Sequence, residues 1–406
     1  MKTLKSTIKN LSSNWLPAIA LCAIIAGCGS NKENGGQLPV IDVAGAYSNI
    51  TTVNLSEYAS AIDYIPLETS ESSMIQGDVI TMSIAPTNEG VVIYRPNTSQ
   101  RPLHFSNTGK FITAIGTEGR SEKEFDFMYN VFTHNNFIDI ASHNKINTYN
   151  LNDGSFVNNI PTIIQSFEIY RYPDGTYTYL NIDMNTKEDN IIVLDSKGDT
   201  IATRLIKEFV PDKLSAKDME QTENIKARGV SFFVASKPNP SAIYAGHDSP
   251  FLLVNEKDTL YTLDKAAQMH PKYLVDYGEF KPGLYWINFL YENDKFITGR
   301  ALFNALVYPN IDKKYRFIYF VYDKQSGTTR GMKYDEDLKS AGFVNDLDAN
   351  GIAFYPKALV NGKMYQLVDA IQFMDIAEKS SSQRMKEVAA TLTEESNPVL
   401  VVATLK

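Results

Sequence analysis

The stretch Phe105–Phe125, FSNTGKFITAIGTEGRSEKEF, decides how the chain is read. An apolar run enters Asn107-Thr108-Gly109-Lys110, a second run leaves as Phe111–Ile115, and the glycine-spaced loop Gly116-Thr117-Glu118-Gly119-Arg120 follows. Asn and Gly accept the positive φ that tight turns demand, so this is a β-hairpin that empties into a backbone-dominated loop. Five more hairpins line up with it: Tyr149–Phe156, Leu194–Ile201, Val254–Leu260, Tyr322–Thr328 and Val360–Tyr365. Their turn residues Gly109, Gly154, Gly198, Asp258, Gly327 and Gly362 are 45, 44, 60, 69 and 35 apart. The first two intervals match the roughly 40–50 residues of a four-stranded propeller blade, and the later ones require insertions. Strand-turn-strand is a common pattern, so a β-sandwich or a two-domain β protein is the alternative.

Working outward, the flanks are also β-prone. Val40–Val43, Thr51–Leu55, Ala61–Thr69, Val79–Ala85 and Val91–Tyr94 are short strand-like runs, and Pro66 puts the third of them at an edge or strand end. Two segments have helical character. Lys213–Arg228 is polar nearly all round and reads as a surface insertion. Ser380–Glu394 carries Met385, Val388, Ala389 and Leu392 at i, i+3, i+4, i+7 spacing and ends before Pro398. Val399–Leu405, VLVVATL, then has the look of a fully buried strand. A buried terminal strand suits a closed ring, in which the first and last strands complete one blade and leave no long open edge.

The N-terminus reads as an address. Residues 1–15 carry three lysines and no acid, and Leu16–Ala26 is an apolar run ending in small residues. This is a secretory signal, too short for a membrane span, which needs roughly 20 apolar residues. It ends in Ile25-Ala26-Gly27-Cys28, which resembles a bacterial lipobox, with Ile25 where Leu is usual. The expected organisation is a signal peptide 1–27, lipidation at Cys28, a flexible tether 28–38 and a propeller domain 39–406. A plain signal peptide with Cys28 as bystander is the alternative. Cys22 and Cys28 are the only cysteines, so the processed domain holds no disulfide, thiol nucleophile or cysteine metal site. Net charge is −8, or −11 once Lys2, Lys5 and Lys9 leave with the signal, which disfavours nucleic acid as a partner.

Taken together, these residues resemble the six-bladed β-propeller lipoproteins of Gram-negative bacteria, mostly uncharacterised exported proteins. Tyr64-Ile-Pro-Leu-Glu-Thr69 is similar to the family's opening motif. Phe105–Phe125 is similar to its most recognisable stretch, matching at Gly116, Gly119, Glu124 and Phe125, with Ser121-Glu122-Lys123 where the family has Gly-Pro. Asn345–Gly351 with Phe354-Tyr355-Pro356, and Asn397–Leu400, resemble its late signature and closing strand. The resemblance implies an all-β, six-bladed propeller of four-stranded blades, with a short C-terminal helix before the closing strand. It implies no catalytic residues.

Candidate chemistry is sparse. There is no G-x-S-x-G elbow, and His104, His134, His143, His247 and His270 are scattered without an H-E-x-x-H motif. Gly116–Ser121 lacks the spacing of a phosphate loop. Asp346-Leu347-Asp348-Ala349-Asn350-Gly351 reproduces the first half of a calcium loop, but Lys357 stands where the bidentate Glu belongs, so an Asx turn is the simpler reading. Tyr285 and Trp286 alternate across a strand and are candidates for a ligand face, against a blade-core role. The expectation is a monomeric, lipid-anchored propeller in the outer membrane, facing the periplasm or the exterior. It binds a glycan, peptide or partner protein without a cofactor. An enzyme acting on a carbohydrate or small molecule, with its site gathered from several blades, is the alternative.

Overall fold

The computed structural model describes residues 38–161, 168–183, 188–208, 242–246, 249–254, 258–278, 285–303, 313–315, 317–337, 339–348 and 351–406, with side chains for all of these except 182–183, 207–208, 285–290, 303 and 313. The expected helix Lys213–Arg228 lies outside the described residues.

Six four-stranded antiparallel sheets form the blades of a ring. From the innermost strand outward, blade 1 is Ser83–Pro86, Gly90–Tyr94, Leu103–Ser106 and Phe111–Ala114. Blade 2 is Asn130–His134, Phe137–Ser142, Lys145–Asn150 and Phe156–Pro161. Blade 3 is Ile169–Arg171, Tyr177–Asp183, Glu188–Leu194 and Thr200–Glu208. Blade 4 is Ala242–Tyr244, Phe251–Leu253, Thr259–Leu263 and Met269–Asp276. Blade 5 is Tyr285–Glu292, Phe296–Phe303, Phe317–Asp323 and Thr328–Met332. Blade 6 is Ala358–Val360, Lys363–Val368, Val399–Leu405 and, from the far end of the chain, Ala59–Pro66.

A propeller blade buries both faces of its sheet, and the strand sequences follow from that. In Gly90–Tyr94, Val91 and Ile93 enter the core shared with blade 6, while Val92 and Tyr94 enter the core shared with blade 2. In Val399–Leu405, Val399, Val401 and Ala403 face blade 5, while Leu400 and Val402 face blade 1. Alternate side chains serve opposite cores, so the strand reads as a continuous apolar run rather than an in–out alternation. One hydrophobic cluster lies between each successive pair of blades, and the sixth joins blade 6 to blade 1.

The N-terminal segment runs along the outside before it closes the ring. Val40–Asp42 adds in parallel to the outer strand of blade 4, and Ile50–Thr51 adds in parallel to the outer strand of blade 5. Between them the helix Val43–Ser48 starts at Asp42, whose carboxylate accepts from Gly45 N. Ala59–Pro66 then pairs with Val399–Leu405, with Pro66 opposite Val399 at its end, where a residue lacking an N–H does least harm to the ladder.

Four of the six aligned hairpins join a third strand to an outer strand, at Gly109, Gly154, Gly198 and Gly327. The other two do not. Val254–Leu260 joins the second and third strands of blade 4, and Val360–Tyr365 joins the first and second strands of blade 6. The equivalent turn in blade 4 is Asp264–Gln268, where Ala267 holds φ +57°. No glycine marks it, so the sequence alignment slid to the nearest polar turn. Blade 6 has no such turn, because its outer strand is Ala59–Pro66.

Three of these glycines do more than turn. A Cβ on Gly109 would lie 2.2 Å from the Pro66 carbonyl oxygen, and one on Gly154 would lie 2.3 Å from that of Ala114. On Gly198 it would meet Ile160 Cγ2 at 2.5 Å. Each is the point where a blade seats against the end of the preceding blade's outer strand. Gly327 has the same positive φ but nothing within 4 Å.

Near the C-terminus two helices replace the expected one. Ala370–Lys379 is capped by Asp369, which accepts from Ile371 N and Gln372 N, and it buries Ala370, Phe373, Ile376 and Ala377. Gln383–Ala389 is capped by Ser382 and buries Met385. The stripe read as Ser380–Glu394 is therefore real but shorter, and Leu392 packs on the same core from a turn.

The family-like motifs meet at the ring closure. Asn345 Nδ2 donates to Tyr64 OH at 3.0 Å. Asn397, 1% exposed, donates through Nδ2 to the carbonyls of Glu68 and Ser73 and accepts from Ile75 N. In Phe105–Phe125, Gly116 lies under the Tyr149 ring, and Phe125 is fully buried edge-on to Tyr149. Glu124 accepts from Ser121 N, which closes the turn where the family has Gly-Pro.

Candidate functional site

The described residues form a cavity of about 330 Å³ between blades 2 and 3, on the side where innermost strands turn into second strands. Asp139 lies at its base. It is the polar residue in Phe137-Ile138-Asp139-Ile140-Ala141, and its carboxylate faces blade 3 with a side-chain exposure of 2%. A buried carboxylate must be paired and hydrogen-bonded. Its Oδ2 accepts from Arg171 Nε at 2.8 Å and Tyr177 OH at 2.7 Å, and its Oδ1 accepts from Thr148 Oγ1 at 2.6 Å. His134 Nε2 is 2.9 Å from Oδ2, without a linear hydrogen bond.

Secondary structure explains how these groups converge. His134 and Arg171 end the innermost strands of blades 2 and 3, and Tyr177 opens the second strand of blade 3. Thr148 is directly opposite Asp139 across the second and third strands of blade 2. Burial pushes the Asp139 carboxyl up, but the nearby His134 and the hydrogen bonds from Thr148 and Tyr177 outweigh it and hold the carboxyl below its ordinary value. Burial raises the Tyr177 phenol well above its ordinary range, and the Asp139 charge adds to the effect. The pair is therefore fixed as carboxylate and neutral phenol at neutral pH. Phe137, Val157 and Ile160 form the apolar wall, and Asn158 and Ser196 sit at the polar margin.

The sequence candidates are placed elsewhere. Asp346 accepts from Ser56 N at 2.8 Å and from the Ser56 hydroxyl, tying the late loop to the 3-10 turn Leu55–Glu57. Asp348 accepts from the hydroxyl of Ser382, the cap of the last helix. The two carboxylates thus have different partners, Asn350 lies outside the described residues, and among those residues no three metal-ligating side chains cluster. Lys357, at loop position 12, donates to the carbonyls of Val79, Ile80 and Met82. Tyr285 and Trp286 open the innermost strand of blade 5 opposite Phe303 and Leu302, and their side chains are outside the described residues. Cys28 is outside them as well. Among the described residues, no helix is long and apolar enough to cross a membrane.

The sequence reading missed the Asp139 constellation, because its members come from five strands of two blades. Its one sequence signal is a carboxylate inside an apolar strand.

Six sheets, one core per blade pair and closure by an N-terminal strand define a six-bladed β-propeller. The chain belongs to the family described as Domain of unknown function (DUF4934), whose model matches residues 38–404. A similar solved structure is a "Putative exported protein" of Bacteroides fragilis, 16% identical, with a TM-score of 0.62 over 91% of this chain and 100% of that one. A member of the duf4221 family from Bacteroides vulgatus is 10% identical, with a TM-score of 0.44 over 86% of this chain and 97% of that one. No curated protein matches the chain.

Proposed function

We propose that this protein is an exported, lipid-anchored propeller that captures a small ligand in the groove between blades 2 and 3. The observation that carries the reading is the Asp139 network: a cavity of ligand size whose polar base is locked by two blades. Such a base is preorganised, so binding spends little on ordering it. Catalysis is the weaker reading. A general base works best with a pKa near the working pH, whereas the Asp139 carboxyl is buried, accepts from three donors and is held low. Export is supported by the basic and apolar leader and by the description of the Bacteroides fragilis neighbour. Anchoring rests on Cys28.

Two experiments test this. A screen of glycans and peptides against the full chain yields a ligand whose binding is lost in Val157→Trp, which fills the groove from an exposed position. A ligand that binds this variant as well as wild type moves the site off the groove. Separately, Cys28→Ala abolishes acyl labelling and releases the protein from membranes. Unchanged membrane fractionation removes the anchor.

A further inference from the structure

One edge of the Arg171 guanidinium is spare at the groove wall, and we infer that the groove takes a small monocarboxylate with an apolar flank. This rests on the groove being the ligand seat. Arg171 donates from Nε to Asp139 and from Nη1 to the Tyr172 carbonyl at 3.2 Å. Its Nη2 lies beside Gly175, where even an added Cβ would stand 3.5 Å away, and no described residue accepts from it. The Arg171 side chain is 13% exposed and lines the cavity together with Gly175. A guanidinium with spare hydrogens at a cavity wall is suited to an anionic oxygen.

The rest of the groove does not oppose an anion. Asp139 is the acid that lines it, and its charge is matched by Arg171. Asp174, next to Gly175, is paired with Lys265 of blade 4. Asp195, next to Ser196, accepts from Lys197 N and Asp199 N in its own turn. The Asp139–Arg171 pair has no net charge, so the spare guanidinium edge supplies hydrogen bonds rather than excess charge, which favours a singly charged carboxylate over a doubly charged phosphate. Phe137 and Val157 give that carboxylate an apolar neighbour, with Val157 47% exposed.

The test compares phenylacetate with phenylacetamide, which differ in charge but hardly in shape, by isothermal titration into the full chain. Phenylacetate binds, and the amide binds about tenfold or more weakly, the ratio expected for loss of one charge-assisted hydrogen bond. Val157→Asp, at a position whose exposure leaves the core intact, weakens phenylacetate by a similar factor without lowering Tm. Equal binding of acid and amide, no detectable heat at roughly 10 mM phenylacetate, or phenylacetate binding indifferent to Val157→Asp each overturns the carboxylate assignment. The groove reading fails on a different result, a screened ligand that ignores Val157→Trp.

Discussion

Replacing the turn glycines by alanine separates two roles that glycine plays here. Gly154 and Gly327 have nearly the same backbone, φ +70° and +69°, in equivalent turns of blades 2 and 5. Forcing alanine into the left-handed region costs about 1–2 kcal/mol at either site. At Gly327 that is the whole cost, because the new methyl meets nothing within 4 Å. At Gly154 the methyl would sit 2.3 Å from the Ala114 carbonyl oxygen, a backbone atom that cannot swing aside. Blade 1 must back away from blade 2, and overpacking of this kind adds about 1–3 kcal/mol. For a domain of about 370 residues the unfolding entropy is near 0.8 kcal/mol per degree, so the expected fall in Tm is about 1–2.5 °C for Gly327→Ala and about 3–6 °C for Gly154→Ala. Differential scanning calorimetry, backed by urea midpoints, reads both. Equal losses in the two variants would refute the reasoning, since only the contact between blades distinguishes them.

Three further outcomes are expected. Asn397→Ala leaves the Ile75 amide and the Glu68 and Ser73 carbonyls short of partners at the closure, and should cost about 2–4 kcal/mol by urea unfolding, against under 1 for the exposed Ser72→Ala. Burial lowers the His104 pKa, against the pull of the Leu151 carbonyl, so the unfolded chain takes up a proton that the folded chain resists as pH falls below 6.5. Stability at His104 is thus lost with acid, and the Tm advantage of wild type over His104→Gln should shrink between pH 7.5 and 5; any slope from Glu168, raised to about 7 by burial, is common to both proteins and cancels. Because Asp346 and Asp348 serve Ser56 and Ser382, Tm should not move with millimolar calcium or chelator; a clear rise with calcium would put a cation back in that loop.

The fold was legible wherever a constraint was local. A glycine at φ > 0 between two apolar runs needs only its neighbours, so blades 1, 2, 3 and 5 stood out. Blade 4 did not, because Ala267 tolerates the strained conformation without advertising it. The helix Ala370–Lys379 had its signal in Asp369 and the buried spacing of Ala370, Phe373 and Ile376, but it sits directly after a strand and was overlooked. Of the groove, the sequence carries only Asp139, a carboxylate inside an apolar strand. Asp139 meets Arg171 and Tyr177 only because blade 3 docks on blade 2, and no periodicity within either strand encodes that docking.

The belt along blades 4 and 5 bears on how the ring is assembled. Ala59–Pro66 is made early and pairs with Val399–Leu405, 333 to 346 residues later. Val40–Asp42 and Ile50–Thr51 likewise wait for strands near residues 275 and 331. Entropy makes so long a closure only slightly dearer than a shorter one, but the search is slow. Until the last strand arrives, Ala59–Pro66 has no strand to pair with and blade 6 has an open edge. Truncation of the final strand would therefore release Ala59–Pro66 as well as the end of the chain, while the belt stays on blades 4 and 5, and a pull on residue 38 would draw directly on that belt.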